Sequence, residues 1–128
     1  MTITLTREDL LTRLTKEELD ELTTTALEDG QPDPVQAGID GALGEIEVSV
    51  DTDQFEALSA KMFKRVWLCL TVPLLYPRRA EVPEKHLKEQ TWARDFLVRV
   101  RRGEIRSGAV EVVRQPSQPA TRKKLKGL

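Results

Sequence analysis

Two side chains carry the chemistry most often asked of an active site, and each stands alone. His86 is the sole histidine and Cys69 the sole cysteine. An imidazole titrates near neutrality and serves as a general base or metal ligand, and a thiolate serves as a nucleophile. The surroundings of both argue against these uses. His86 lies between Lys85 and Lys88 on a charged helical face, which predicts a solvent-exposed bystander. Cys69 falls inside the most apolar stretch of the chain, where a buried small hydrophobe is expected. One His and one Cys cannot build a zinc site. Asp51-Thr52-Asp53 resembles the opening of a calcium loop, but the glycine and terminal Glu of that loop are missing, so a helix cap is the plainer reading. Gly38, Gly41 and Gly44 match no phosphate-cradling loop, and no strand leads into them. Trp67 and Trp92 fall on apolar helical faces, which predicts core packing rather than base stacking. Trp92→Ala is then expected to cost about 3–5 kcal/mol if that ring is fully buried. No catalytic residue, metal site or cofactor site is expected, and the chain reads as a non-enzyme.

What the residues do offer is charge, and it is divided by position. Residues 1–60 hold 15 Asp or Glu against 3 Lys or Arg, a formal −12. Residues 61–110 are +7 and residues 111–128 are +4, so a net −1 conceals an acidic front and a basic back. Such asymmetry steers association and sets interface register. A molecule with unlike faces can also join copies of itself head to tail. Arg99, Arg101, Arg102 and Arg106 with the tail lysines have three readings: phosphate contacts of non-specific DNA binding, a solvated surface, or a surface that meets acidic protein. The lack of interleaved aromatics weakens the stacking version of nucleic-acid binding.

The elements that must carry these groups are helices. Thr6 and Thr15 precede acid-rich turns, and Thr15-x-x-Glu18 is a capping box, predicting helices over 7–13 and 16–22 with Leu10, Leu11, Leu14, Leu19 and Leu22 inward. Thr23 to Pro32 reads as a loop. Asp33-Pro34 opens a third helix, on which Val35, Ile39, Ala42, Leu43, Ile46 and Val50 recur at helical spacing. Its three glycines either weaken it or permit close helix approach; both readings stay open. From Phe55 to about Leu75 the chain is apolar on nearly all sides, which predicts a central buried helix that Pro73 kinks or ends. Pro83 opens a last helix over 83–102, with Leu87, Trp92, Ala93, Phe96, Leu97 and Val100 inward and Gly103 as its C-cap. Residues 105–113 are β-prone and read as extended. The expected fold is all-α: a bundle of about four to five helices over residues 1–104, then an extended C-terminal arm over 105–128 that ends in a basic tail. The N-terminus lacks the pattern of a signal peptide, and Val66–Tyr76 is too short to span a bilayer, so a cytosolic-type protein without a membrane segment is expected.

The order of segments carries a resemblance. Thr6-x-x-Asp9-Leu10 leads to Glu17-Glu18-Leu19-x-x-Leu22-Thr23, and a Gly/Asp/Pro-rich loop precedes Ala42-x-x-Glu45-Ile46. A buried helix ends near Tyr76. A helix around Trp92 ends in Gly103-Glu104-Ile105-x-x-Gly108, and Thr121-Arg122-Lys123-Lys124-Leu125-Lys126-Gly127-Leu128 closes the chain. This resembles the small virion proteins of Mu-like phages and prophages, related to the head–tail adaptor (connector) proteins of long-tailed phages. Thr24 stands where that pattern usually has an acid, and Val66-Trp67 where it has Arg-Tyr.

The resemblance implies a homo-oligomeric ring, typically a dodecamer, bound to the portal protein at the capsid vertex. Such a ring extends the DNA channel, with DNA only passing through it, and offers a platform for the next neck or tail-completion protein. It places the chain in the virion neck at the head–tail junction, after assembly in the host cytoplasm. The arm residues Arg114, Arg122, Lys123, Lys124, Leu125, Lys126 and Leu128 become candidates for docking on the portal or another partner. Arg99, Arg101, Arg102, Arg106, Glu45 and Glu47 become candidates for subunit interfaces. The acidic half either faces the basic half across subunit boundaries or lines the channel. The alternative to this function is a small nucleic-acid-binding or regulatory protein that acts through its basic C-terminal half.

Overall fold

Capping chemistry sets most of the boundaries in a computed structural model that describes residues 3–77 and 80–104. Helix α1 (Arg7–Leu10) is a single turn, shorter than the expected 7–13, and the chain turns on through Leu14. Thr6 donates from its amide and hydroxyl to the Asp9 carboxylate at 2.8 and 3.0 Å. Burial alone would raise the Asp9 carboxyl. The Thr6 amide, with help from Lys64 at 3.1 Å, outweighs it and holds the group below its ordinary value. Helix α2 (Lys16–Glu28) opens on the expected capping box, in which Glu18 N donates to Thr15 Oγ1 and Thr15 N donates to Glu18 Oε1. It also runs through the threonines read as loop. The Thr23 hydroxyl donates back to the Leu19 carbonyl at 3.0 Å, so it rides on the helix instead of competing with it. Gly30, at φ 77°, ends the helix. Its amide bonds to Leu27 O and that of Gln31 to Ala26 O, which satisfies two terminal carbonyls.

Helix α3 (Pro34–Ser49) has the predicted start, with Asp33 Oδ1 accepting from Val35 N at 2.9 Å and Pro34 in the first position. Helices α4 (Thr52–Leu58) and α5 (Ala60–Leu74) replace the unbroken run expected from Phe55. The break is Ser59. Its extended backbone (φ −164°) closes α4, and its hydroxyl accepts from Met62 N to open α5. With this split and the one-turn α1, the bundle has six helices among the described residues rather than about four to five. Helix α6 (Glu84–Arg101) ends at Gly103, φ 74°, as the sequence predicts. No strand occurs among the described residues, and residues 105–128 lie outside them.

The apolar α5 lies against both α3 and α6, and its Phe63, Val66, Trp67, Leu70 and Val72 are buried with Leu10, Leu19, Ile46, Phe55 and Phe96. Cys69 is buried as expected, and burial pushes its thiol further up. The α3 glycines divide between the two readings. A Cβ on Gly38 would stand 3.1 Å from Leu75 Cδ2, so its smallness allows α3 to approach the end of α5, whereas one on Gly44 would meet nothing within 4 Å. Gly44→Ala is therefore expected to stabilise the protein by about 0.5–1 kcal/mol. Gly38→Ala should gain less or lose, which the two denaturation midpoints will show.

Two side chains on the expected inward faces stand outside, and one expected outside is inside. Leu11 and Leu87 are exposed, whereas Trp92 is half-buried and packs against the core. His86, read as an exposed bystander, is 1% exposed and packs against Tyr76 with ring centroids 6.1 Å apart. His86, Ala93 and Val100 lie two turns apart on one face of α6, which sets His86 in the core register and turns Leu87 away.

Burial lowers the His86 pKa, with Lys85 adding to the effect and Glu89 and Glu18 opposing it. The unfolded chain thus binds the His86 proton more readily, and the stabilisation present above about pH 6.5 is lost as the pH falls toward the lower folded value. The melting temperature should fall on acidification through that window. In His86→Leu this limb should flatten; an unchanged profile in the variant would assign the limb to other groups.

Candidate assembly surface

Two of the proposed interface residues meet where α6 ends. Glu47 and Arg101 line one groove of about 450 Å³ with Val48, Val50, Asp51, Leu58 and Val100. Val48, on the last turn of α3, is 85% exposed. The Asp51 carboxylate is occupied in capping α4, where it accepts from Asp53 N and Gln54 N at 3.0 and 3.1 Å. Glu47 and Arg101 make no ion pair among the described residues, so their charges face outward beside apolar surface. What such a patch can do is bind, an apolar contact framed by both signs of charge.

The other candidates are used inside the subunit. Glu45 on α3 takes a forked contact from Arg94 on α6, Nε to Oε2 at 2.9 Å and Nη2 to Oε1 at 3.3 Å. That bond holds the Arg94 guanidinium above its ordinary pKa. No local pattern marks this partner, because the two residues are 49 positions apart. Arg99 and Arg102 both approach Glu104, at 3.9 and 3.8 Å. The turn at Gly103 puts it there, since Glu104 N donates to Arg99 O at 2.9 Å. These exposed pairs contribute roughly 0–1 kcal/mol each. They do show that part of the acidic front is matched to the basic back within one chain, at Glu45–Arg94 and Asp9–Lys64. Arg106 and the arm candidates Arg114, Arg122, Lys123, Lys124, Leu125, Lys126 and Leu128 lie outside the described residues.

Among the described residues no three His, Cys, Asp or Glu side chains cluster as metal ligands would, and no helix is long and apolar enough to cross a membrane. No protein-family model, curated protein or solved structure matches this chain.

Proposed function

We propose that this chain is a head–tail adaptor of a long-tailed phage. It forms a ring on the portal protein, extends the DNA channel and joins capsid to tail in the neck of the virion, with no catalytic role. One observation carries the proposal beyond the order of its segments. The bundle ends at a capped turn at Gly103, beside a partly apolar groove bearing Glu47 and Arg101, and from there the sequence continues into a basic segment. A helical block followed in the sequence by a basic segment suits a part that joins copies of itself and then a larger partner. Electron microscopy of the purified protein mixed with its portal tests this. A ring seated on the portal supports it. A protein that stays monomeric and shifts DNA in a salt-dependent way, lost on deleting 114–128, would replace it with the nucleic-acid-binding alternative.

Deletion of residues 115–128 is expected to leave the bundle folded, because the buried core of the described residues runs from Leu5 to Leu97. Ring formation should be lost. Circular dichroism reads the first outcome and native mass spectrometry the second; an unfolded product would sink the claim that the segment serves assembly alone.

A further inference from the structure

Every buried side-chain nitrogen without a hydrogen-bond partner among the described residues belongs to a single cluster: Nε of Arg13, Nε of Arg65 and both ring nitrogens of His86. Buried polar groups without partners are uncommon, and each calls for a bound water, an ion or a ligand. The cluster lies where the turn between α1 and α2 meets α5 and α6. Glu89 is its nearest carboxylate. Oε2 stands 3.3 Å from Arg13 Nε, near enough for attraction but not aligned as a hydrogen bond, and Oε1 stands 4.0 Å from His86 Nδ1. Arg13 and His86 thus share one carboxylate, with the Arg65 guanidinium close enough to feel it. A neutral imidazole brings one donor and one acceptor and each guanidinium only donors, so donors are in excess. Cys69 hydrogen-bonds to the Arg13 side chain but adds no counter-charge, since burial raises its thiol pKa. The nearby Glu84 is within ion-pair distance of Lys88 at 3.7 Å.

An open cleft of about 1090 Å³ adjoins this cluster, where Arg13, Lys85 and Lys88 face the carboxylates Glu84, Glu89 and Asp95, and His86, Trp92, Thr12 and Thr91 complete the wall. Arg65 holds the inner side of Trp92 in place, with its guanidinium carbon 4.8 Å from the ring centroid. We propose that this cleft binds a carboxylate-bearing ligand, seated on Arg13 beside the buried His86 with Trp92 as an apolar wall. The flat guanidinium fork matches a carboxylate. A phosphate dianion would meet twice the repulsion from Glu89. As the side chains stand the unpartnered nitrogens are enclosed, so seating requires Arg13 to turn its fork into the cleft. Its side chain is 24% exposed and lines the cleft.

The site is independent of the adaptor reading, and its test uses the full-length protein with sodium propionate as the probe. Propionate should raise the melting temperature saturably, by about 5 °C at ten times the dissociation constant, and should shift the His86 ring resonances. Sodium chloride at the same ionic strength should do neither, and phosphate should act more weakly than propionate. Arg13→Gln should abolish the response, while Arg7→Gln, which removes a surface cation paired with Asp20, should keep it. If Arg13→Gln does not fold, Arg13→Lys should weaken propionate binding about tenfold by removing the fork. Equal effects of chloride and propionate, a stronger response to phosphate, or a response retained in the Arg13 variant would each overturn the assignment.

Discussion

Phe96→Ala is expected to destabilise the protein by about 3–5 kcal/mol, a large share of the roughly 5–15 kcal/mol that holds an ordinary domain together. Phe96 is 1% exposed and stands where α4, α5 and α6 converge. Its ring stacks on Phe55 with centroids 5.8 Å apart and meets Trp92 at 5.5 Å. Alanine would leave a cavity walled by rings, which cannot bend to fill it as aliphatic chains partly can. Urea denaturation measures the loss as a lower midpoint at constant slope. A loss below about 1 kcal/mol would mean that α6 shifts to close the gap.

Trp67→Ala is expected to cost as much, for a second reason besides volume. Trp67 is buried on α5, edge-on to Phe63 with centroids 6.0 Å apart, and its indole N–H donates to the Ile39 carbonyl on α3 at 2.9 Å. That bond fixes α5 against α3 in depth and rotation. Trp67→Phe separates the two contributions: it keeps most of the apolar body and should cost only about 1–2 kcal/mol, chiefly the hydrogen bond. Trp92→Ala should fall short of the fully buried figure, at about half of it, because that ring is half-buried against Arg65. Equal losses for the two alanine variants would contradict this ranking.

Much of the fold was legible because its signals are local. Thr15 with Glu18, Asp33 with Pro34, and Gly103 each act within a turn of themselves, and each boundary stands where the chemistry puts it. The all-round apolar run likewise marked α5 as the central helix. The misreadings arise where a local reading meets competition. Thr23 to Thr25 have loop-like composition, yet an i to i−4 hydroxyl bond lets at least Thr23 stay helical. Ser59 interrupts a run whose hydrophobicity alone argues for continuity. His86 sits among lysines in sequence but in register with Ala93, and the register decided its burial.

The candidate surface was legible only in part. Glu47 and Arg101 do share a groove, but Glu45 is committed to Arg94, and no pattern in a single sequence pairs residues so far apart.

The turn at Gly103 has a consequence for binding strength. Because the last helix ends in a capped reversal, whatever follows is tethered at one defined point on the bundle. A tethered segment meets a surface near its anchor at an effective concentration set by its length, on the order of millimolar for short tethers. A contact too weak to hold two free molecules together then suffices. When identical tethers engage one partner at once, their weak contacts combine into avidity that a single copy would lack.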